Sequence, residues 1–229
     1  MSEWNTEGLT ALVEEIQSSS GHPEDILKTF DNFEYMMMQY EAAIREIRTK
    51  LEILNDELSV TSDNNNPIAS IQSRLKRPIS IYNKLIKQGN EISMESIQKN
   101  LNDVAGVRVI CSFVDDIYRI AKMLVQQDDI ELIELKDYIK HPKDNGYRSY
   151  HMILDIPVFF AYGKKHIRVE LQIRTIAMDF WANLEHQIRY KKGLPQDKAD
   201  EIAEELKACA ETIADTDERM LAIREKLTN

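Results

Sequence analysis

Only two cysteines occur in the 229 residues, Cys111 and Cys209, far apart and in apolar surroundings. Neither a disulfide framework nor a cysteine-ligated metal site is suggested, and buried thiols are expected. No stretch approaches the roughly 18 uncharged apolar residues that a membrane-spanning helix needs. The opening MSEWNTEGLT has neither a basic start nor an apolar run, so no signal peptide is read and a cytoplasmic location is expected. The common nucleotide cradles are missing too: there is no G-x-x-x-x-G-K-[ST], no G-x-G-x-x-G, no H-R-D and no D-F-G. No H-E-x-x-H or close histidine pair suggests zinc, and no serine sits in a nucleophile elbow.

What is present is charge, unevenly placed. The formal net charge is −10, with 43% hydrophobic and 30% charged residues. Residues 67–192 hold 20 Lys and Arg against 15 Asp and Glu, whereas the flanks hold 9 against 24. A basic centre between acidic arms suits a small polyanionic ligand and disfavours duplex nucleic acid, whose phosphates would also meet the repelling flanks.

The arms are legible by periodicity. From His22-Pro23-Glu24-Asp25, apolar residues recur at Ile26, Phe30, Phe33, Met37, Tyr40, Ile44, Ile47, Leu51, Leu54 and Leu58, an unbroken 4-3 spacing that predicts a helix of about 50 Å. Ile202, Leu206, Cys209, Ile213, Thr216, Met220, Ile223 and Leu227 repeat the pattern after a breaker at Gly193-Leu194-Pro195. Such seams pack on the central domain or meet another subunit, and oligomerisation is the expectation. Ser59 to Pro67 reads as a loop.

The centre mixes strand and helix signals. Ile68 to Gly89 reads as a basic helical stretch bent at Pro78, Val104 to Val114 as a strand, Asp115 to Gln127 as a helix and Ile130 to Leu135 as a strand. Arg148 to Phe160 and His166 to Arg174 read as strands, and Thr175 to about Lys191 as a helix. The sum is one α+β domain: a helical arm over 22–60, a mixed-sheet core over 67–192 and a second arm over 196–228.

Four clusters carry chemistry. In His166 to Arg174 the alternation puts Ile167, Val169, Leu171 and Ile173 on one face and His166, Arg168, Glu170, Gln172 and Arg174 on the other. That polar front either faces water or holds metal and phosphate. The stretch from His141 to His151 is a loop followed by aromatics and cations at a strand entry. Ser73-Arg74-Leu75-Lys76-Arg77-Pro78-Ile79-Ser80, continuing to Lys84, reads by itself as a solvated basic helix face. Asp103 and Arg108 bracket a strand start, and Asp103 with Glu170 would make a carboxylate pair suited to Mg²⁺.

Asp103-Val-Ala-Gly-Val-Arg108, Gly146-Tyr-Arg-Ser-Tyr-His151, Val169-Glu-Leu-Gln-Ile-Arg-Thr175 and Phe180-Trp-Ala-Asn-Leu-Glu-His186 resemble the synthetase motifs of the RelA/SpoT family, which makes the alarmones ppGpp and pppGpp. The short length with helices on both sides resembles the small alarmone synthetases, the RelP branch more than the RelQ branch. The long relatives carry a hydrolase domain with a His-Asp motif, and this chain has no His-Asp dipeptide; hydrolysis is expected to be absent.

The resemblance implies a nucleotidyltransferase-like mixed sheet, transfer of pyrophosphate from ATP to the 3′-hydroxyl of GDP or GTP, and Mg²⁺ on Asp103 and Glu170, with Glu170 also activating the hydroxyl. It implies Arg74 and Arg108 around adenine, and Lys76, Ser80 and Lys84 on the ATP phosphates. It further implies Tyr147 stacked on guanine, Lys136, Lys143 and His151 near the acceptor, Gln172 beside the metal and Asp179 facing the guanine edge. Arg174, Trp181, Glu185 and His186 match the family pattern with functional and structural readings both open. A homotetramer built through the terminal helices is implied as well; single-stranded RNA binding belongs to one branch and has no place assigned here. The alternatives are pyrophosphate transfer to the 3′ end of tRNA, which the acidic arms disfavour, and a non-catalytic oligomeric nucleotide-binding protein.

Overall fold

The structure, a computed structural model, describes residues 23–61, 66–189 and 195–228. In chain order, α1 (Pro23–Thr61) leads to β1 (Ile68–Leu75), α2 (Pro78–Gln88), α3 (Met94–Asn100), β2 (Ala105–Cys111) and α4 (Val114–Val125). Then follow β3 (Glu131–Asp137), β4 (Tyr150–Phe160), β5 (Gly163–Thr175), α5 (Ile176–Arg189) and α6 (Gln196–Thr228). The strands form one sheet in the order β1-β2-β5-β4-β3. β2 and β5 run parallel, and every other neighbouring pair is antiparallel, the mixed α+β sheet the sequence predicts.

Strict alternation gives the sheet two unlike faces. On one, Val107, Leu171 and Met152 stand in register, as do Val109 and Ile173, and all are buried. α1 and α4 cover this face, α1 reaching β1, β2, β4 and β5. Its seam residues Phe33, Met37, Tyr40, Ile44, Ile47, Leu51, Leu54 and Leu58 are all buried, each large aliphatic contributing about 1.5–3 kcal/mol by leaving water. From Phe33 onward the N-terminal seam is therefore closed by the chain's own sheet, while Phe30 is 38% exposed. The second arm differs, because Met220, Ile223 and Leu227 stay 51%, 52% and 83% exposed on α6.

Four expectations need correction, the first being the burial of both thiols: Cys111 is buried but Cys209 is exposed on α6. Ile68 to Leu75 is a strand, not the first half of a helix: the spacing of Ile68, Ile71 and Leu75 fits helical period, but antiparallel pairing with β2 overrides it. Pro78 does not bend a helix; it starts one, at the first helical position behind an extended Arg77. The helix α1 also runs through Ser59 to Thr61, where a loop is expected. Residues 62–65 of that loop, with Gly193 and Leu194 of the second breaker, lie outside the described residues. Helix α3 is not anticipated at all, although Ser93 announces it by accepting the Ser96 amide at 3.1 Å.

Candidate active site

The face opposite α1 is polar because register lines up one polar residue per strand. Gln72, Arg108, Gln172, His151 and Lys136 are successive partners across all five strands, and Arg74, Gly106, Glu170, Ile153 and Glu134 form the adjoining row. The basic stretch expected on a helix thus splits: Arg74 lies on β1, Lys76 in the connection and Lys84 on α2. A glycine at 106 leaves open the floor of a cavity of about 370 Å³ lined by Arg74, Asp103, Arg108, Glu170 and Gln172 among others.

Asp103, immediately before β2, gathers the cations. Its Oδ2 accepts from Lys76 Nζ at 2.7 Å and pairs with Lys84 Nζ at 2.8 Å. Burial pushes its carboxyl up, but the two lysines outweigh that and hold it below the usual carboxylate range. Asp103 Oδ1 is buried and has no hydrogen-bond partner. Among the described residues no cluster of three or more His, Cys, Asp or Glu side chains could cage a metal. An orphaned carboxylate oxygen beside a second carboxylate nevertheless fits Mg²⁺, which takes one or two protein carboxylates and fills its shell with phosphate oxygens and water.

Glu170 is that second carboxylate, and it lines a second cavity too, of about 190 Å³, with Lys136, Tyr138, Lys143 and His151. Burial raises its carboxyl, but the neighbouring His151 ring and the Gln172 amide prevail and keep it lowered and ionised. Gln172 Nε2 donates to Glu170 Oε2 at 3.0 Å, while His151 Nδ1 stands 3.7 Å from Oε1, beyond hydrogen-bond length. Tyr147 and His151 meet at 2.8 Å, and Lys143 lies over the rings of Tyr138 and Tyr147.

Other expected site residues lie as follows. Ser80 is exposed in the first turn of α2 and lines neither cavity. Asp179, expected against a guanine edge, is 9% exposed and engaged as a counter-ion. Its Oδ1 accepts from Arg174 at 3.1 Å and pairs with Arg108 at 3.3 Å, and its Oδ2 accepts from Asn183 at 2.9 Å. Burial and the nearby Arg174 charge lower the Arg108 guanidinium, whose Nε is buried without a partner. Trp181 donates to the Leu206 carbonyl at 2.8 Å and Glu185 accepts from Asn145 at 3.0 Å, both tying α5 to its surroundings. His186 is exposed on α5. Sequence reasoning missed Gln72, hidden by the helical reading of Ile68 to Gly89, gave Gly106 no role beyond its place in a motif, and missed Tyr138, whose ring stands edge-on to Tyr147 and His151.

Comparison with known proteins agrees with this geometry. Residues 73–194 match the family model described as a region found in RelA / SpoT proteins. The chain is 40% identical over 206 residues to GTP pyrophosphokinase YwaC of Bacillus subtilis, covering 90% of this chain and 97% of the relative. It is 34% identical to GTP pyrophosphokinase YjbM of the same organism, over 84% and 88%. Among solved structures, small alarmone synthetase 2 from B. subtilis superimposes with a TM-score of 0.74 at 40% identity, covering 85% of this chain and 99% of that one. Small alarmone synthetase 1 bound to its product pppGpp gives a TM-score of 0.75 at 33% identity, over 87% and 100%. With a family match over more than half of its length and such relatives along nearly all of it, the chain belongs to the RelA/SpoT family.

Proposed function

We propose that this chain is a (p)ppGpp synthetase, transferring the β,γ-pyrophosphate of ATP to the ribose 3′-hydroxyl of GDP or GTP. The observation that carries the reading is Glu170, one carboxylate shared by two adjoining cavities that both contain cations. A transfer between two polyanions requires such a shared wall, with a base at the crossing point.

In this reading the larger cavity takes ATP. Arg74 and Arg108 offer guanidinium planes to the adenine, and Lys76, with Lys84 and Ser80 from α2, receives the phosphates. The smaller cavity takes the acceptor, with Tyr147 as the stacking face and Lys136, Lys143 and His151 toward its phosphates and ribose. Gln172 steadies Glu170, and Asp179 holds Arg108 and Arg174 in place. Glu170 takes the proton of the 3′-hydroxyl as the oxygen attacks the β-phosphorus. The bond between that phosphorus and the α,β-bridging oxygen breaks, and AMP leaves. Mg²⁺ would be held by Asp103 and Glu170 and would neutralise charge on the transferred group.

Assembly into a homotetramer is part of the proposal, and the exposed Met220, Ile223 and Leu227 on α6 support it. Among the described residues no helix is long and apolar enough to cross a membrane.

The test is incubation with Mg²⁺, ATP labelled on the γ-phosphate and, in parallel, GDP, GTP, GMP or bulk tRNA, with Glu170→Gln as control. Label in ppGpp or pppGpp, lost by a factor of about 10² to 10⁴ in the variant, is the expected result. Label on tRNA alone moves the acceptor to RNA, and no transfer leaves a nucleotide-binding protein.

A further inference from the structure

Arg174 has no part in the transfer as written above, yet it sits at the hub of the site. It is 4% exposed. Its Nε donates to Ser149 Oγ at 3.3 Å, its Nη1 to Asp179 at 3.1 Å, and its Nη2 both to the Tyr147 hydroxyl and, at 3.1 Å, to Gln172 Oε1. A guanidinium fanned out in this way is locked in its plane.

Donor direction then propagates from Arg174 along two branches. Because the Tyr147 oxygen accepts from Arg174, its own proton points elsewhere, and His151 Nε2 lies 2.8 Å away to take it. With Nε2 as acceptor, neutral His151 carries its proton on Nδ1, the nitrogen that faces Glu170 Oε1. On the other branch, Gln172 Oε1 accepts from Arg174, which turns the amide nitrogen toward Glu170 Oε2, 3.0 Å away. Both oxygens of Glu170 are thus faced by donors whose orientation Arg174 dictates.

We propose that Arg174 and the Tyr147 hydroxyl are positioning residues of the transfer reaction, aiming the Glu170 carboxylate through His151 and Gln172. This rests on the transferase reading and extends it. Tyr147 thereby has two separable parts: a ring for stacking and a hydroxyl that sets the histidine tautomer. The His151 to Glu170 gap closes to hydrogen-bond length when the acceptor is bound, as contacts of this kind do in reactive complexes.

Tyr147→Phe keeps the ring and removes only the hydroxyl. Its kcat falls about 10- to 100-fold while KM for GDP stays within about twofold, the loss typical of a partner that orients a reacting group. Tyr147→Leu raises KM as well. Arg174→Lys keeps a charge but cannot bridge two acceptors in one plane, and loses kcat to a similar extent. Nitrogen-15 spectra of the neutral imidazole, assigned with His151→Gln, show the Nδ1–H form in the wild-type chain and its loss in Tyr147→Phe. Wild-type kcat in Tyr147→Phe, or an Nε2–H tautomer in the wild-type chain, overturns the inference. Absence of transfer by the wild-type chain overturns the transferase reading instead, while the tautomer measurement still reports on the circuit. If Arg174→Lys fails to fold, Tyr147→Phe decides alone.

Discussion

Replacing Gly146 by alanine strikes the joint between the acceptor loop and α6. Gly146 has φ +88°, a region that a β-carbon disfavours by about 1–2 kcal/mol. The added carbon would also lie 2.6 Å from the Ala210 Cβ and 3.5 Å from the Lys207 Cα. Ala210 is buried on α6, and its carbonyl accepts from Arg148 at 3.3 Å, so neither side of the overlap is a flexible end. Relief of overpacking of this kind adds about 1–3 kcal/mol, for a total near 3 kcal/mol. At about 2–4 °C per kcal/mol for a chain of this size, Tm falls by roughly 6–12 °C. Circular dichroism melting reads that shift, and KM for GDP rises because Tyr147 is the next residue. Ala210→Gly separates the causes: alone it costs about 1 kcal/mol as a helix glycine, but on top of Gly146→Ala it removes the clash and recovers part of the loss. A Gly146→Ala melt within about 1 °C of wild type, or strict additivity of the two changes, would refute the steric account.

Lys76→Met removes one of the cations that lower the Asp103 carboxyl below its unfolded value. A lowered acid contributes stability fully present above about pH 4 and lost as pH falls through the folded value, so the gap in urea midpoint between wild type and variant narrows from pH 7 to pH 3; a constant gap rejects the pairing. Leu51→Ala, at a fully buried seam position of α1, costs about 2–5 kcal/mol by denaturant titration, and a loss under about 1 kcal/mol would show that the seam is not closed by the sheet. Ile223→Asp, on the exposed stripe of α6, lowers the sedimenting mass without lowering the melting temperature of the dissociated chain; an unchanged mass moves the proposed assembly surface elsewhere.

What was legible in the sequence is what period reveals. The 4-3 spacing identified α1 and α6 as helices, but a seam records the width of an apolar strip and not what covers it. Phe33 to Leu58 fold onto the sheet, whereas the last turns of α6 do not. The alternation in β5 placed Glu170 and Gln172 on one face correctly, yet nothing local says that His151 and Lys136 stand beside them, since that follows from register with β4 and β3. Ile68 to Leu75 satisfied a helical count and became a strand because β2 offered it a ladder. The guanine-edge expectation for Asp179 comes from the family resemblance, whereas the arginines that pair with it arrive from β2 and β5, which nothing local to its helix reveals.

The cover that α1 gives the sheet sets an order of events during synthesis. The helix is complete at Thr61, but β5, a strand it packs against, begins only at Gly163. At about 5–20 residues per second, the apolar strip of α1 waits on the order of 5–20 s outside the ribosome before its central partner exists. During that interval Phe33, Met37 and Leu51 are adhesive surface facing a sheet that still lacks its central strand, and holdase chaperones that bind exposed apolar helix have an opportunity on this chain.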